Sequence, residues 1–201
     1  MNAMYDVVCS VVIGGIVLVM LVGFNSNIVQ SASVQTIKVM AQSDLTTATS
    51  VLENDLKMMG FHVYSRADSA IQYADSNKIV FVGDFQDSGT MDTITYSFNP
   101  TAPSGHANTN TRILTRTYAP QGTNPSSISI NLGITRFRLW YYNSGDTALA
   151  SNPIPAPKLI KSFRIAMNVE STVPYKETTM PYLKLNPGAY WERIIKPKNL
   201  R

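Results

Sequence analysis

The sequence predicts an α+β fold in which one long N-terminal α-helix packs, by its second half, on an antiparallel β-sheet head. The first of three observations behind this prediction is the stretch Val7–Phe24, which is apolar and carries no charged residue. The second is the absence of Pro and Gly between Asn25 and Met59, where apolar residues recur mostly at spacings of three and four. The third is a change after Gly60 to short β-type runs separated by clusters of Gly, Pro, Asn and Asp.

The apolar stretch is predicted to be a transmembrane helix. Its 18 residues are just enough to cross a hydrocarbon core of about 30 Å. A cleaved secretory signal is the competing interpretation, but no basic region precedes the stretch, and Asn25–Gln30 lacks a small-x-small cleavage pattern. Retention of the helix is therefore favoured. Cys9, the only cysteine, lies inside this stretch, which excludes an intrachain disulfide and a Cys-based metal site.

The helix is predicted to run without a break from Ala3 to Met59, a length of about 85 Å at 1.5 Å per residue, with Gly60 as its C-terminal stop. Its second half carries an apolar stripe of Ile28, Val29, Ala32, Ile37, Met40, Leu45, Ala48, Val51, Leu52, Leu56 and Met59. A head of this size can bury only part of such a helix. We therefore expect the first half to contact lipid and then other subunits. A coiled coil is the alternative, but the heptad register is poor.

Three residues of the first half are candidate assembly residues. Gly14 and Gly15 would let neighbouring helices approach closely, although membrane helices also tolerate glycine without such a role. Asp6 lies at the membrane border, where its charge needs water or a partner. We expect that partner to be the terminal amine of another subunit.

Six runs after Gly60 have the pattern of half-buried strands, namely Lys78–Val82, Thr93–Phe98, Arg112–Tyr118, Ile128–Leu132, Ile134–Tyr142 and Leu159–Val169. The segments between them carry turn and loop residues. Asp84–Asp92 is predicted to be a hairpin turn, Pro100–Thr111 and Ala119–Ser127 polar loops, and Asn143–Pro157 a surface connection.

The chain is therefore divided into three parts around one core. Residues 1–24 form the transmembrane or filament-core helix, residues 25–60 an amphipathic stem that continues into the head, and residues 61–201 the β-rich head. A chain of 201 residues has room for one such head and not for two independent catalytic domains.

Charge is distributed unevenly along the chain. Residues 1–111 contain four Lys or Arg against nine Asp or Glu, whereas residues 112–201 contain thirteen against four. The basic C-terminal half would suit a polyanion or an acidic partner. The same pattern is explained more simply by complementary faces of a self-associating subunit, or by solvated side chains.

The sequence predicts neither enzyme activity nor a cofactor. The two histidines, His62 and His106, are isolated and have no metal-binding spacing, and no nucleophile, phosphate-loop or dinucleotide motif is present. One turn, which contains Asp84, Asp87 and Asp92, gathers enough oxygen donors to suggest Ca²⁺. An ordinary Asp-Ser-Gly hairpin turn is the favoured interpretation of that turn.

The run Arg136–Tyr142 is the candidate surface of the head. A strand with two faces would point Arg136, Arg138, Trp140 and Tyr142 outward, to a neighbouring subunit. The alternation of basic and aromatic residues also fits nucleic-acid stacking. Nucleic acid is the less favoured partner.

Four segments together resemble type IV pilin-like proteins, closest to the W-type minor pilins and the J-type minor pseudopilins of type II secretion. They are Val51–Phe61 (VLENDLKMMGF), Lys78–Phe98 (KIVFVGDFQDSGTMDTITYSF), the pair Phe137–Gly145 (FRLWYYNSG) and Ile160–Val169 (IKSFRIAMNV), and the closing Pro197–Leu200 (PKNL). The resemblance covers nearly the whole chain. It implies a structural subunit of a pilus-like or pseudopilus filament, in cell adhesion or protein secretion, which is anchored in the bacterial inner membrane before assembly and then lies in a periplasmic or extracellular filament. It also implies partners, namely copies of itself or other pilin-like subunits, and an assembly ATPase with its platform proteins.

The N-terminus departs from the family, which carries a basic leader, a Gly cleavage site and a glutamate at the fifth mature position. If the mature chain begins at Asn2, Asp6 occupies that fifth position as a shorter equivalent. If it begins at Met1, the acid is one residue out of place. A single-span membrane-anchored binding protein or receptor with a β-sheet head is the alternative to a filament subunit. A membrane-anchored hydrolase is a third, less favoured hypothesis.

Overall fold

The computed structural model of the protein describes residues 2–63, 70–173, 175–176 and 184–200. It confirms the α+β fold, with one long helix, α1 (Asn2–Met58), followed by strands. The strands are β1 (Ile71–Ala74), β2 (Lys78–Gly83), β3 (Asp92–Pro103), β4 (Arg112–Ala119), β5 (Ser126–Ile130), β6 (Ile134–Tyr142), β7 (Ser162–Glu170), β8 (Tyr175–Lys176), β9 (Lys184–Leu185) and β10 (Gly188–Ile195). A short 3-10 helix, Pro157–Leu159, precedes β7.

Helix α1 is continuous over 57 residues, and the head covers only its last third. Side chains are exposed almost throughout residues 3–40, and the most apolar 18-residue window is 0% buried. From Ala41 onward one face turns into the core, through Leu45, Ala48, Leu52, Leu56 and Met59. The predicted stripe therefore divides into a C-terminal part, which is largely buried, and an exposed part that includes Ile28 and Met40. Val51, which was predicted to belong to the stripe, is exposed and lies off the buried face.

The helix ends at a close crossing of three chain segments. Gly60 has φ +74°, and its N–H donates to the carbonyl of Val82 at 2.9 Å. A Cβ at this position would lie 3.1 Å from the Cβ and from the carbonyl oxygen of Asn199. The side chain of Asn199 in turn donates to the carbonyl of Met59 at 3.3 Å. The C-terminal tail thus caps the helix, and only glycine fits at its stop.

The head has two main sheets, where the sequence predicted one. β1 to β5 form a five-stranded antiparallel meander in chain order, and β10, β7 and β6 form a three-stranded antiparallel sheet in that order. β8 pairs with β9 in a separate small ladder. The C-terminal part of α1 shares one hydrophobic core with both main sheets, and the largest wholly buried side chains include Leu56, Phe81, Tyr96, Phe137 and Phe163.

Several strand boundaries differ from the prediction. β5 begins at Ser126, before the predicted Ile128–Leu132, and β3 continues to Pro103, into a segment that was predicted to be a loop. β7 begins at Ser162, not at Leu159, because Pro157 starts a 3-10 turn and breaks the ladder. β1, β8, β9 and β10 were not predicted at all. β10 is an edge strand with mostly exposed side chains, so burial imposes little apolar alternation on it.

Candidate functional site

The exposed part of α1 contains all three candidate assembly residues. Asp6, Gly14 and Gly15 are exposed, and a Cβ added to either glycine would meet no atom within 4 Å. The fold of a single chain therefore does not require glycine at these two positions. The helix is long and apolar enough to cross a membrane, which is compatible with a single-pass anchor.

Asp6 lies in the first turns of α1. Its backbone carbonyl accepts the Ser10 hydroxyl at 2.7 Å. Within the described part of the chain, no side chain pairs with its carboxylate. The partner expected from the sequence is a terminal amine, and residue 1 lies outside the described residues.

The turn between β2 and β3 is organised around the carboxylate of Asp84, which is wholly buried. Its Oδ1 accepts the N–H of Ser88 at 2.9 Å, and its Oδ2 accepts the N–H of Gly89 at 2.8 Å. Burial alone raises the pKa of this carboxyl, but the N–H groups of Ser88 and Gly89 and the nearby ring of His62 outweigh it, so the pKa lies below its usual value. The turn therefore holds a carboxylate in its charged form.

The structure places His62, and not Asp92, beside the first two acids of this turn. His62 Nδ1 lies 3.2 Å from Asp84 Oδ2 and 3.5 Å from Asp87 Oδ1, and one ligand atom of each residue lies within 4.8 Å of the others. Asp92 is buried at the start of β3, where its carboxylate accepts the Tyr118 hydroxyl at 2.8 Å. Burial and this hydrogen bond raise the pKa of Tyr118 to about 12.

A buried ion pair attaches α1 to the five-stranded sheet. Asp55 accepts Nε of Arg116 at 2.6 Å and Nη2 at 3.2 Å, and its Oδ2 also accepts the Tyr96 hydroxyl at 2.6 Å. Burial raises the pKa of Tyr96 well above its usual range, and the neighbouring Asp55 charge adds to this effect. Sequence reasoning did not single out this group. The signal was present, since Asp55 follows Leu52 by three positions and precedes Met59 by four, within the buried stripe.

A second ion pair joins α1 to the three-stranded sheet. Both carboxylate oxygens of Glu53 accept from Nη1 of Arg193, at 2.6 and 2.7 Å, and Lys57 lies 3.3 Å away on the next helical turn. With Asp55, this pair holds the end of α1 between the two sheets. The helix and head are therefore connected by directional contacts as well as by apolar packing.

The outward face of the three-stranded sheet confirms the predicted alternation of β6. Phe137, Leu139 and Tyr141 are buried, whereas the intervening side chains are exposed or half-buried. The outward residues of β6 are Arg136, Arg138, Trp140 and Tyr142.

Neighbouring strands enlarge this face. Trp140 is paired in register with Arg164 of β7, whose guanidinium carbon lies 4.2 Å from the indole centroid, and the guanidinium carbon of Arg138 lies 5.3 Å from it. On β10, the exposed Tyr190 donates its hydroxyl to Glu192, which also accepts from Arg164 at 3.3 Å. The result is a basic and aromatic surface across three strands. It suits a protein interface, in which aromatic and Arg side chains are enriched.

In comparisons with known proteins, no family model matches the chain and no curated protein matches its sequence.

Proposed function

We propose that this protein is a structural subunit of a type IV pilus-like or pseudopilus filament, with no catalytic activity of its own. The observation that carries the proposal is the exposed part of α1. The segment from Val7 to Phe24 has thirteen large apolar side chains, and each of them is about half to three-quarters exposed. Soluble monomers rarely leave an apolar surface of this extent uncovered. Lipid, and then the same segment of other subunits, is the environment that suits it.

Assembly follows from differential burial. Each subunit would begin as a single-pass membrane protein, and its helix would leave the bilayer only as it packs among other helices, so that the apolar surface exchanges lipid for protein. Exposure to water would cost roughly 1.5–3 kcal/mol for each large side chain, which couples extraction to packing. An assembly ATPase with its platform proteins would supply the work, as the family resemblance implies.

The connection between α1 and the head supports a role in a filament. A subunit that is extracted and held by its helix must transmit force to its head. The Asp55–Arg116 and Glu53–Arg193 pairs join the end of the helix to both sheets.

The positions of the resembling segments also support the proposal. Val51–Phe61 covers the end of the helix, Lys78–Phe98 spans the β2–β3 hairpin, and the closing PKNL segment lies against the helix stop. The outward face of β6, β7 and β10 is then the surface for a neighbouring subunit or for an adhesive contact. The W-type and J-type likeness favours a minor subunit.

Mechanical shearing of native cells tests the proposal. A filament subunit is released as polymer, in which antibodies to the head label filaments in negative stain. Asp6→Ala should lower the polymer fraction, because the charge that pairs with a neighbouring terminal amine is lost. Asp44→Ala is the matched control, since Asp44 is an acid on the same helix outside the apolar segment.

A chain that stays in the membrane as a monomer after shearing contradicts the proposal. That result would support a single-span receptor with a β-sheet head. A DNA shift assay at several salt concentrations tests whether the outward face of the full chain binds nucleic acid. We expect no shift.

A further inference from the structure

We propose that His62, Asp84 and Asp87 form a binding site for a divalent transition-metal ion of the Zn²⁺ class, at the junction of α1 with the β2–β3 turn. The inference rests on these side chains and is independent of the filament proposal. The sequence had grouped Asp84 and Asp87 with Asp92 as a less favoured Ca²⁺ site. It did not indicate His62, because that residue is separated from the two acids by more than twenty residues.

Backbone contacts create this junction. The N–H of Gly60 donates to Val82, and the N–H of Asp84 donates to the carbonyl of Phe61 at 3.0 Å, so the segment after α1 runs beside the end of β2. Gly83 allows the approach, since a Cβ there would lie 2.8 Å from the carbonyl oxygen of Met58. His62 is thereby held next to the turn. Its ring stacks on Phe61 with centroids 4.0 Å apart.

The two distances from His62 to the acids fit a zinc coordination sphere. Zn²⁺ binds nitrogen at about 2.0–2.1 Å and carboxylate oxygen at about 2.0–2.2 Å in tetrahedral geometry. Ligand atoms around such an ion are separated by about 3.3–3.5 Å, as the same bond lengths require. The measured separations from His62 Nδ1 are 3.2 Å to Asp84 and 3.5 Å to Asp87. The three ligand atoms, one from each residue, all lie within 4.8 Å of one another.

The donor set selects the class of metal. Ca²⁺ takes six to eight oxygen ligands, whereas this cluster offers one imidazole nitrogen and two carboxylates. Imidazole suits Zn²⁺, Ni²⁺ and Cu²⁺. Two carboxylates beside one ring also leave the cluster negatively charged in either protonation state of His62, which favours a cation.

The surroundings orient the ligands and leave access to solvent. The N–H groups of Ser88 and Gly89 hold the Asp84 carboxylate, in the manner of the outer hydrogen bonds that position metal ligands. The side chains of His62 and Asp87 are 35% and 79% exposed, whereas Asp84 is buried. The ion would therefore enter from the Asp87 side and keep a coordination position for water. Bound there, it would tie the segment after the helix to the β2–β3 turn.

Calorimetric titration of the full chain tests the site, in detergent, without a polyhistidine tag and after treatment with a chelator. One Zn²⁺ per chain is expected, and Co²⁺ should give the visible absorption of a four-coordinate N/O site. His62→Gln and Asp87→Asn should each weaken binding at least tenfold, which is the lower end of the loss seen even for outer-shell partners. Asp87 is too exposed for its substitution to unfold the head, so a loss in that variant reports on the ligand itself.

Two variants serve as matched controls. His106→Gln removes the only other histidine, which lies near Thr111 between β3 and β4, and it should bind Zn²⁺ like the parent chain. Asp92→Asn should also bind normally, because Asp92 faces Tyr118. The assignment is overturned if the parent chain binds neither Zn²⁺ nor Co²⁺, which would leave the cluster as an ion pair. It is equally overturned if His62→Gln binds like the parent chain, or if Ca²⁺ binds more tightly than Zn²⁺.

Discussion

Arg116 on β4 donates two hydrogen bonds to Asp55 on α1, from Nε at 2.6 Å and from Nη2 at 3.2 Å, although 61 residues separate them. The side chain of Asp55 is only 8% exposed and that of Arg116 is 21% exposed. The forked geometry fixes the direction of both side chains. Rotation of the helix about its own axis would break this contact, so the pair holds the helix with its buried apolar face toward the sheets.

Arg116→Met should destabilise the head strongly. The substitution leaves the Asp55 charge buried without its partner, and breaking such a pair costs about 3–5 kcal/mol. Urea unfolding of the full chain in detergent measures this loss through the fluorescence of Trp140 and Trp191, which both lie in the head. Arg136→Met, an exposed Arg on β6, is the control and should stay within about 0.5 kcal/mol of the parent.

A second variant separates the buried charge from the lost contact. Asp55→Leu combined with Tyr96→Phe and Arg116→Met removes every polar member of the group. Apolar replacement of a buried pair is often neutral, so this combination should be more stable than Arg116→Met alone. Equal stability of the two variants would mean that the unpaired Asp55 charge does not cause the destabilisation of Arg116→Met.

Gly60→Ala and Gly89→Ala should differ in cost although their φ angles are +74° and +77°. A left-handed conformation costs a non-glycine residue about 1–2 kcal/mol, and both variants incur this strain. Only at Gly60 would the new Cβ also press on Asn199 at 3.1 Å, whereas nothing lies within 4 Å of a Cβ at Gly89. Overpacking adds about 1 kcal/mol or more. The measurement is the free energy of unfolding in urea. Similar losses for the two variants would show that the C-terminal tail moves away from the new Cβ without a measurable cost.

Glu53→Gln should remove part of the acid sensitivity of the fold. Burial raises the pKa of Glu53, but Arg193 and Lys57 outweigh it and lower the pKa below its usual value. The folded state then binds a proton less readily than the unfolded chain. The stability from this carboxylate is thus present above the unfolded Glu pKa of about 4.3, and it is lost as the pH falls through the lower, folded pKa.

The measurement is the free energy of unfolding as a function of pH for both proteins. Because Arg193 is more than half exposed, the deficit of Glu53→Gln at pH 7 should be about 0.5–1 kcal/mol. It should shrink as the pH is lowered below about 4. Arg193→Gln removes the partner of Glu53. Its free energy of unfolding should likewise approach that of the parent as the pH is lowered. A deficit that stays constant with pH would argue against the charged contact.

On the proposal that the chain is a filament subunit, Gly14→Leu and Gly15→Leu should reduce filament yield without loss of the membrane-bound form. A Cβ added at either position meets no atom within 4 Å, and leucine favours helix more than glycine does. Close packing of neighbouring helices would not tolerate the added volume. The ratio of sheared polymer to membrane-bound chain measures the effect, with Val12→Leu as the control on the same helix. An unchanged ratio would mean that the membrane helix tolerates these glycines and that they have no role in helix packing.

Local pattern was sufficient to predict the long helix, its stop, and the β2–β3 hairpin. The spacing of Leu45, Ala48, Leu52, Leu56 and Met59 encodes a helical face within a few turns. The alternation along β6 likewise encodes two faces within one strand, and the burial of Phe137, Leu139 and Tyr141 matches it. Each signal arises between residues only two to four positions apart, so it is readable in the sequence.

The pairing of distant elements was decided only by the tertiary structure. Strand order brought Arg116 to Asp55 and Arg164 to Trp140, and the crossing at Gly60 brought His62 to Asp84. The same order placed β10 beside β7, which completed a surface of which the sequence had indicated only one strand. The physical reason is that the contacts of a charge or an edge strand depend on which ladder forms beside it, and no local periodicity records that choice.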